Sequence, residues 1–186
     1  MPSWRPPEGA ETSLEVGVVS DTHLPRLGRR LPQPLVEGLH AANVQRILHL
    51  GDWTQPFVLE LLAEIAPTDG VAGNNDPPEL VERLGWRKVV DIDGARLGLI
   101  HGHQGPGRTT PQRAQRAFAD EPPLAAILFG HSHIPVVKQL PDDRWLLNPG
   151  SPTDRRRQPR YSWAQVTIED AAILDIRLHF FDRPVT

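Results

Sequence analysis

The sequence predicts an α/β (α+β) fold in which two β-sheets pack together with helices outside. Three observations predict it. Apolar runs of strand length alternate with helical patterns through the first two thirds of the chain, and strands dominate after His133. Short clusters of Asp, Asn and His follow those apolar runs, as a site at one edge of a sheet requires. With 186 residues, the chain suits one domain with a sizeable core.

The elements follow in order. Met1 to Ser13 reads as a flexible arm, because Pro2, Pro6, Pro7 and Gly9 oppose regular structure. Residues 14–186 are expected to form the single domain. A first strand covers Leu14 to Ser20. Leu31 to Ala42 predicts a helix burying Leu35, Leu39 and Ala42 on one face. Arg46 to Leu50 is the second strand. Pro56 to Ile65 is a second helix, with Phe57, Leu61, Leu62 and Ile65 at helical spacing. Thr68 to Ala72 is the third strand. Asp76-Pro77-Pro78-Glu79 reads as a helix start, with Asp76 as cap, Pro77 at the first helical position and Glu79 closing a capping box. Trp86 to Ile92 and Arg96 to Ile100 pair around Asp93-Gly94. Thr110-Pro111 opens a helix that runs to about Ala119. Leu124 to Phe129 is continuously apolar, as in a strand buried on both faces. Four more strands follow, at Val136 to Leu140, Trp145 to Leu147, Tyr161 to Ile168 and Ala172 to Phe181.

The polar clusters are Asp21-Thr22-His23, Gly51-Asp52, Gly73-Asn74-Asn75-Asp76, His101-Gly102-His103 and Gly130-His131-Ser132-His133. They carry seven potential metal ligands and the makings of a site for two divalent ions, and so of hydrolytic phosphate chemistry. Residues two apart, as in Asp21/His23 and His131/His133, can point to one side of a strand or tight turn. The glycines at 51, 73, 102 and 130 allow tight turns and close backbone approach. Mixed carboxylate and imidazole ligands suit Mn, Fe, Zn, Ni or Co better than Ca, which prefers oxygen alone. Each piece alone is a common turn or cap; the ordered set is the signal. His49 and His179 read as strand residues.

Composition narrows the classes. A net charge of −3 argues against a general nucleic-acid binder or a polybasic membrane protein. The absence of cysteine excludes disulfides, thiolate metal sites and a cysteine nucleophile. Met1 to Glu15 lacks the apolar core of a signal peptide, and no run is long enough to span a bilayer, so the cytoplasm is the expected compartment. No Gly-x-Ser-x-Gly elbow supports acyl-enzyme chemistry.

From Val16 to about Thr153 the chain resembles the calcineurin-like metallophosphoesterases, of the compact bacterial and archaeal YfcE type. The five clusters carry the resemblance, and Asn148-Pro149-Gly150-Ser151 also matches a segment common in that subgroup. The resemblance implies a four-layer αββα sandwich of two mixed β-sheets flanked by helices. It implies one ion on Asp21, His23, Asp52 and His133, and a second on Asp52, Asn74, His101 and His131, with Asp52 shared. Mn²⁺ is the expected ion, with a metal-bridging hydroxide attacking phosphorus in line. His103 matches the second His of the family's His-Gly-His segment, near the site without being a primary ligand.

One departure concerns the leaving group. Larger relatives carry His where this chain has Asn75, and a neutral amide cannot act as a general acid near pH 7. His103 is then either a substitute donor or a hydrogen-bond partner of the ligands. Asn75 and Arg108 are candidate substrate contacts. Trp53 either stacks on a ring of the substrate or packs against the rim. The Arg155-Arg156-Arg157 run with Arg160 reads as a solvated loop before a phosphate clamp. The expected partner is a small phosphodiester, nucleotide-derived compounds included. The alternatives are a phosphomonoesterase of the same fold and a protein-binding scaffold resembling the retromer subunit, whose metal site is altered. No stable nucleic-acid binding is expected, and exposed β edges in the C-terminal half permit a homo-oligomer.

Overall fold

The computed structural model describes residues 13–182. Of the expected N-terminal arm, all but Ser13 lies outside the described residues. One sheet contains β1 (Leu14–Val19), β2 (Arg46–His49), β3 (Thr68–Gly70), β9 (Tyr161–Glu169) and β10 (Ala172–Phe181), in the order β10-β9-β1-β2-β3. The other contains β4 (Arg87–Ile92), β5 (Ala95–Ile100), β6 (Ala126–Phe129), β7 (Val136–Gln139) and β8 (Trp145–Asn148), in the order β4-β5-β6-β8-β7. Both sheets are mixed. β1, β2 and β3 run parallel, as do β5, β6 and β8, while the remaining neighbours pair antiparallel.

Side-chain alternation along the strands builds the layers. Val16 and Val18 of β1, Leu97 and Leu99 of β5, Ala126 and Leu128 of β6, and Val166 and Ile168 of β9 meet in a core between the sheets. The alternate residues face outward. Val19, Ile47 and Trp163 pack with Leu35 and Leu39 of α1 (Gln33–Ala41), Val58, Leu59 and Leu62 of α2 (Phe57–Ala63), and Leu80 and Leu84 of α3 (Pro78–Leu84). On the opposite side, Ile100, Ile127 and Phe129 pack with Ala114 of α4 (Thr110–Ala117) and with Phe118. The fold is thus the αββα sandwich, with three helices on one face and one on the other among the described residues.

The start of α3 lies one residue later than expected, whereas α4 opens at Thr110 as expected. Pro77, with φ −70° and ψ 158°, is the N-cap of α3 and Pro78 opens the helix; no side chain caps it. Thr109 caps α4 by accepting a hydrogen bond from the Gln112 backbone N–H. The β4–β5 turn is formed by Asp93 and Gly94, both at positive φ, which is the twist a two-residue hairpin requires. No helix among the described residues is long and apolar enough to cross a membrane.

Candidate metal centre

The parallel strands deliver the polar clusters to one edge, where the chain leaves their carboxyl ends. Asp21 and His23 follow β1, Asp52 follows β2, His101 follows β5, and His131 and His133 follow β6. The first two loops are tied together by Asp21 N–H to the Gly51 carbonyl and His23 N–H to the Asp52 carbonyl, each 3.0 Å. The His131 N–H donates to Asp21 Oδ2 at 3.0 Å, which locks one sheet's loop to the other's. Asp21, His23, Asp52, His131 and His133 all have φ between 47° and 65°. A left-handed conformation costs a non-glycine residue about 1–3 kcal/mol, and such strain concentrates at functional sites. Gly73 and Gly130 serve by close approach: a Cβ on Gly73 would collide with the Asp52 backbone and carboxylate, and one on Gly130 with Ser20 and Asp21.

The ligand atoms converge. Asp21, His23 and His133 offer atoms all within 4.8 Å of one another, as do Asp21, Asp52 and His101, and every one of these residues is buried. His133 Nε2 lies 3.2 Å from Asp21 Oδ1, and His101 Nε2 lies 3.4 Å from Asp52 Oδ2. Asp52 Oδ2 also sits 3.7 Å from His23 Nε2, between imidazoles that belong to different triads. Asp21 belongs to both triads. Ligand atoms around one tetrahedral ion, each about 2.0–2.3 Å from it, stand at this kind of separation.

These residues fit a divalent ion. Asp21 Oδ1 and His101 Nε2 are buried with no hydrogen-bond partner, a costly state unless something else binds them. The rings are oriented for ligation. His101 Nδ1–H donates to the Leu50 carbonyl at 2.7 Å and His133 Nδ1–H to the Asp154 carbonyl at 2.5 Å, so both Nε2 atoms face the centre.

The electrostatics agree. Burial opposes charge on Asp21, but His101, His133 and the Ser20 hydroxyl outweigh it and hold the carboxyl below its usual range. Burial works against Asp52 too, yet His101 and the two Asn75 donors hold it well below that range. Burial lowers His101, and the Asp21 and Asp52 charges overcome it and push the imidazole up to about 9. Burial and the positive His101 bring His131 down to about 4. In the metal-free protein at pH 7.5, His101 therefore holds a proton that an ion must displace. Mn²⁺ binding is expected to release about one proton from this residue, and affinity to rise about tenfold per pH unit until pH 9. Titration calorimetry in buffers of different ionisation enthalpy reads both; proton-independent binding would refute it.

The remaining expected residues are distributed as follows. His131 is half-buried, its ring 5.1 Å from that of His101, and it stands outside both triads. Asn74 lies exposed on the turn after β3. Asn75 grips Asp52, its backbone N–H on Oδ1 at 2.9 Å and its amide on Oδ2 at 2.6 Å. Arg108 is exposed, and its backbone N–H donates to Gln112. The Arg155 guanidinium donates to the Gln158 carbonyl, and that of Arg160 to the Phe180 carbonyl, as expected of a surface loop.

One open alternative is decided, for packing of Trp53, and one expectation, the Asp76 cap, is corrected. Trp53 is fully buried: its ring lies 3.8 Å from that of His49 and its Nε1–H donates to the Val71 carbonyl, so it offers no face to a substrate. Asp76 does not cap α3. Its carboxylate accepts the backbone N–H of Asp52, Thr54 and Gly73, at 3.0, 2.6 and 2.7 Å, because those strained loops have donors that no strand satisfies. Asp76→Ala is expected to destabilise the protein by about 2–3 kcal/mol, as hydrogen bonds to a charged group are lost. Urea unfolding measures it, and a loss below about 0.5 kcal/mol would contradict this role.

The structure gives the Asn-Pro-Gly-Ser segment a task. Asn148 donates to the Gly130 carbonyl at 2.9 Å, and the Ser151 hydroxyl donates to the Asp21 carbonyl at 2.8 Å. Thr153 adds a bond to the Thr22 carbonyl at 2.7 Å. This segment fixes the Asp21 and Gly130 loops relative to each other. Thr153 and the Asp154 carbonyl that orients His133 carry no signal in the sequence, since nothing in their spacing marks them.

Residues 14–171 match the model of the calcineurin-like phosphoesterase superfamily domain. The chain belongs to that superfamily. Among calcineurin-like phosphoesterases it is 38% identical over 138 residues to a probable metallophosphoesterase of Methanothermobacter thermautotrophicus, covering 74% of this chain and 77% of the relative. It is 24% identical over 151 residues to a phosphodiesterase of Methanocaldococcus jannaschii, covering 74% and 83%. Wild-type Vps29 from Entamoeba histolytica, crystallised with Zn²⁺, superposes with a TM-score of 0.69 at 23% identity, covering 91% of this chain and 99% of that one. This calcineurin-like phosphoesterase thus has the family's fold and a buried set of candidate metal-ligand residues at its sheet edge.

Proposed function

We propose that this phosphoesterase is a phosphodiesterase working with two divalent ions, Mn²⁺ foremost. The observation that carries the reading is the convergence of two carboxylates and three imidazoles around two unpartnered buried atoms, Asp21 Oδ1 and His101 Nε2. Asp21, His23 and His133 would hold one ion, and His101, His131 and Asn74 the other, with Asp52 between them. Bound divalent cations supply a lowered water pKa and charge neutralisation for in-line attack on phosphorus.

The chain's own residues do the rest. Asn75 holds the Asp52 carboxylate in orientation, and the Asp21 loop is fixed by Ser151 and Thr153. Asn75 offers no acid for the leaving group, which favours esters with good leaving groups. His103, whose ring lies 6.2 Å from that of His131, is the imidazole available as a substitute donor. The phosphodiesterase relative supports diesters over monoesters. Likeness to Vps29 raises a protein-binding scaffold as a second reading; the competent residue at each of the seven ligand positions favours the enzyme.

Hydrolysis of bis-p-nitrophenyl phosphate and p-nitrophenyl phosphate, by chelator-stripped protein with and without Mn²⁺, tests the reading. Metal-restored activity preferring the diester is expected. Preference for the monoester would make it a phosphatase, and no activity with any divalent ion in folded protein would favour the scaffold.

A further inference from the structure

A cleft of about 500 Å³ adjoins the centre on the His103 side, lined by Trp86, Ile100, Gly102, His103, Pro106 and Asp120 among others. That volume suits a small organic ligand. Trp86 stands between α3 and β4 with 39% of its surface exposed, its ring 5.1 Å from that of His103. An exposed indole beside a catalytic centre is a stacking face. His103 Nδ1 is buried there without a hydrogen-bond partner. One wall, the loop after His103, is held in place by Arg113, which donates to the Gly107 and His103 carbonyls.

Charge selects the occupant. Arg87, at the Glu121 end of the cleft, stacks on Phe118 at 4.5 Å and pairs with Glu121 at 2.5 Å, so it is engaged. Asp120 is exposed at that end. An acidic end disfavours a second phosphate and suits a neutral ring bearing N–H donors.

We propose that this cleft binds the nucleobase of a nucleotide ester whose phosphate sits at the metal centre, with Trp86 as the stacking platform. Nucleotides are phosphoesters that carry such a flat ring with N–H donors, which makes them the proposed substrate class. The inference rests on the phosphoesterase reading above, which supplies the phosphate position. Trp86 is then a specificity residue that touches only the base.

The test is calorimetric binding to the Mn²⁺-loaded protein of AMP, ribose 5-phosphate, adenosine and inorganic phosphate. AMP is expected to bind about tenfold tighter than ribose 5-phosphate, the lower range of base–aromatic stacking. Trp86→Ala should erase that advantage and leave inorganic phosphate binding unchanged, while Trp86→Phe retains most of it. Equal binding of AMP and ribose 5-phosphate by the wild type, or an advantage that survives Trp86→Ala, overturns the proposal. The two readings fail separately. Phosphate binding and diester cleavage without a base advantage sink the cleft alone. Trp86-dependent adenosine binding in a protein that neither binds phosphate nor cleaves the diester sinks the phosphoesterase reading and upholds the ring site.

Discussion

Asp52→Asn is expected to lower Mn²⁺-dependent turnover by at least about 1,000-fold while leaving the fold intact. Asp52 is 1% exposed and sits where Gly73 leaves room for its carboxylate. The amide keeps the shape, so near-ultraviolet circular dichroism should not change. What it removes is a negative charge 3.4 Å from His101 and 3.7 Å from His23. On the proposed two-ion reading, the variant lacks the anion that would offset the repulsion of two cations held close together. Metal content per protein is therefore expected to drop along with activity, by at least one ion. Asp52→Ala should behave the same way and cost stability as well, because the two Asn75 donors lose their acceptor. Full activity of either variant at saturating metal would show that the shared carboxylate is not part of the chemistry.

Saturation with a divalent ion is expected to raise the melting temperature by about 8–16 °C. An ion present at about a thousandfold its Kd stabilises by about 4 kcal/mol, and a protein of this size gains about 2–4 °C per kcal/mol. The metal-free centre is a strained place. It holds a fully buried Asp21 with an unpartnered oxygen, a buried His101 that the Asp21 and Asp52 charges push up to about 9, and left-handed backbone at Asp21, His23, Asp52, His131 and His133. An ion answers each unpartnered atom and should order the loops. Mn²⁺, Zn²⁺, Co²⁺ and Ni²⁺ are expected to shift the transition, and Ca²⁺ much less, because imidazole suits the former. His101→Ala should remove most of the shift. Scanning calorimetry of chelator-treated protein with each ion decides it, and a flat response to all of them would show that the cluster holds no metal.

The layered fold was legible because its signals are local. Val16 and Val18 alternate with Gly17 and Val19, and the run from Ala126 to Phe129 is apolar throughout, so each strand announces its two buried faces. The clustering of Asp21, His23, Asp52, His101 and His133 was legible for a related reason: polar residues placed just beyond such strands share the sheet's edge. Asp76 shows where this stops. Its spacing to Glu79 satisfies a capping rule, yet its carboxylate is taken by N–H groups of Asp52 and Thr54, 24 and 22 residues back. Trp53 beside a ligand and Trp86 before a strand look alike in a linear chain; packing against His49 buried the first and left the second at the cleft.

By itself the sequence determined the strand and helix order, the sandwich of two sheets and the polar clusters that follow the strands, because periodicity and residue chemistry act over a few positions. Tertiary structure decided what each polar group does there. It brought Asp21 against His101 and His133, set Asn75 on Asp52, and gave Ser151 the Asp21 carbonyl. Those roles depend on which unsatisfied donor or acceptor lies nearest in space. Chain closure across both sheets sets that distance, and no local pattern encodes it.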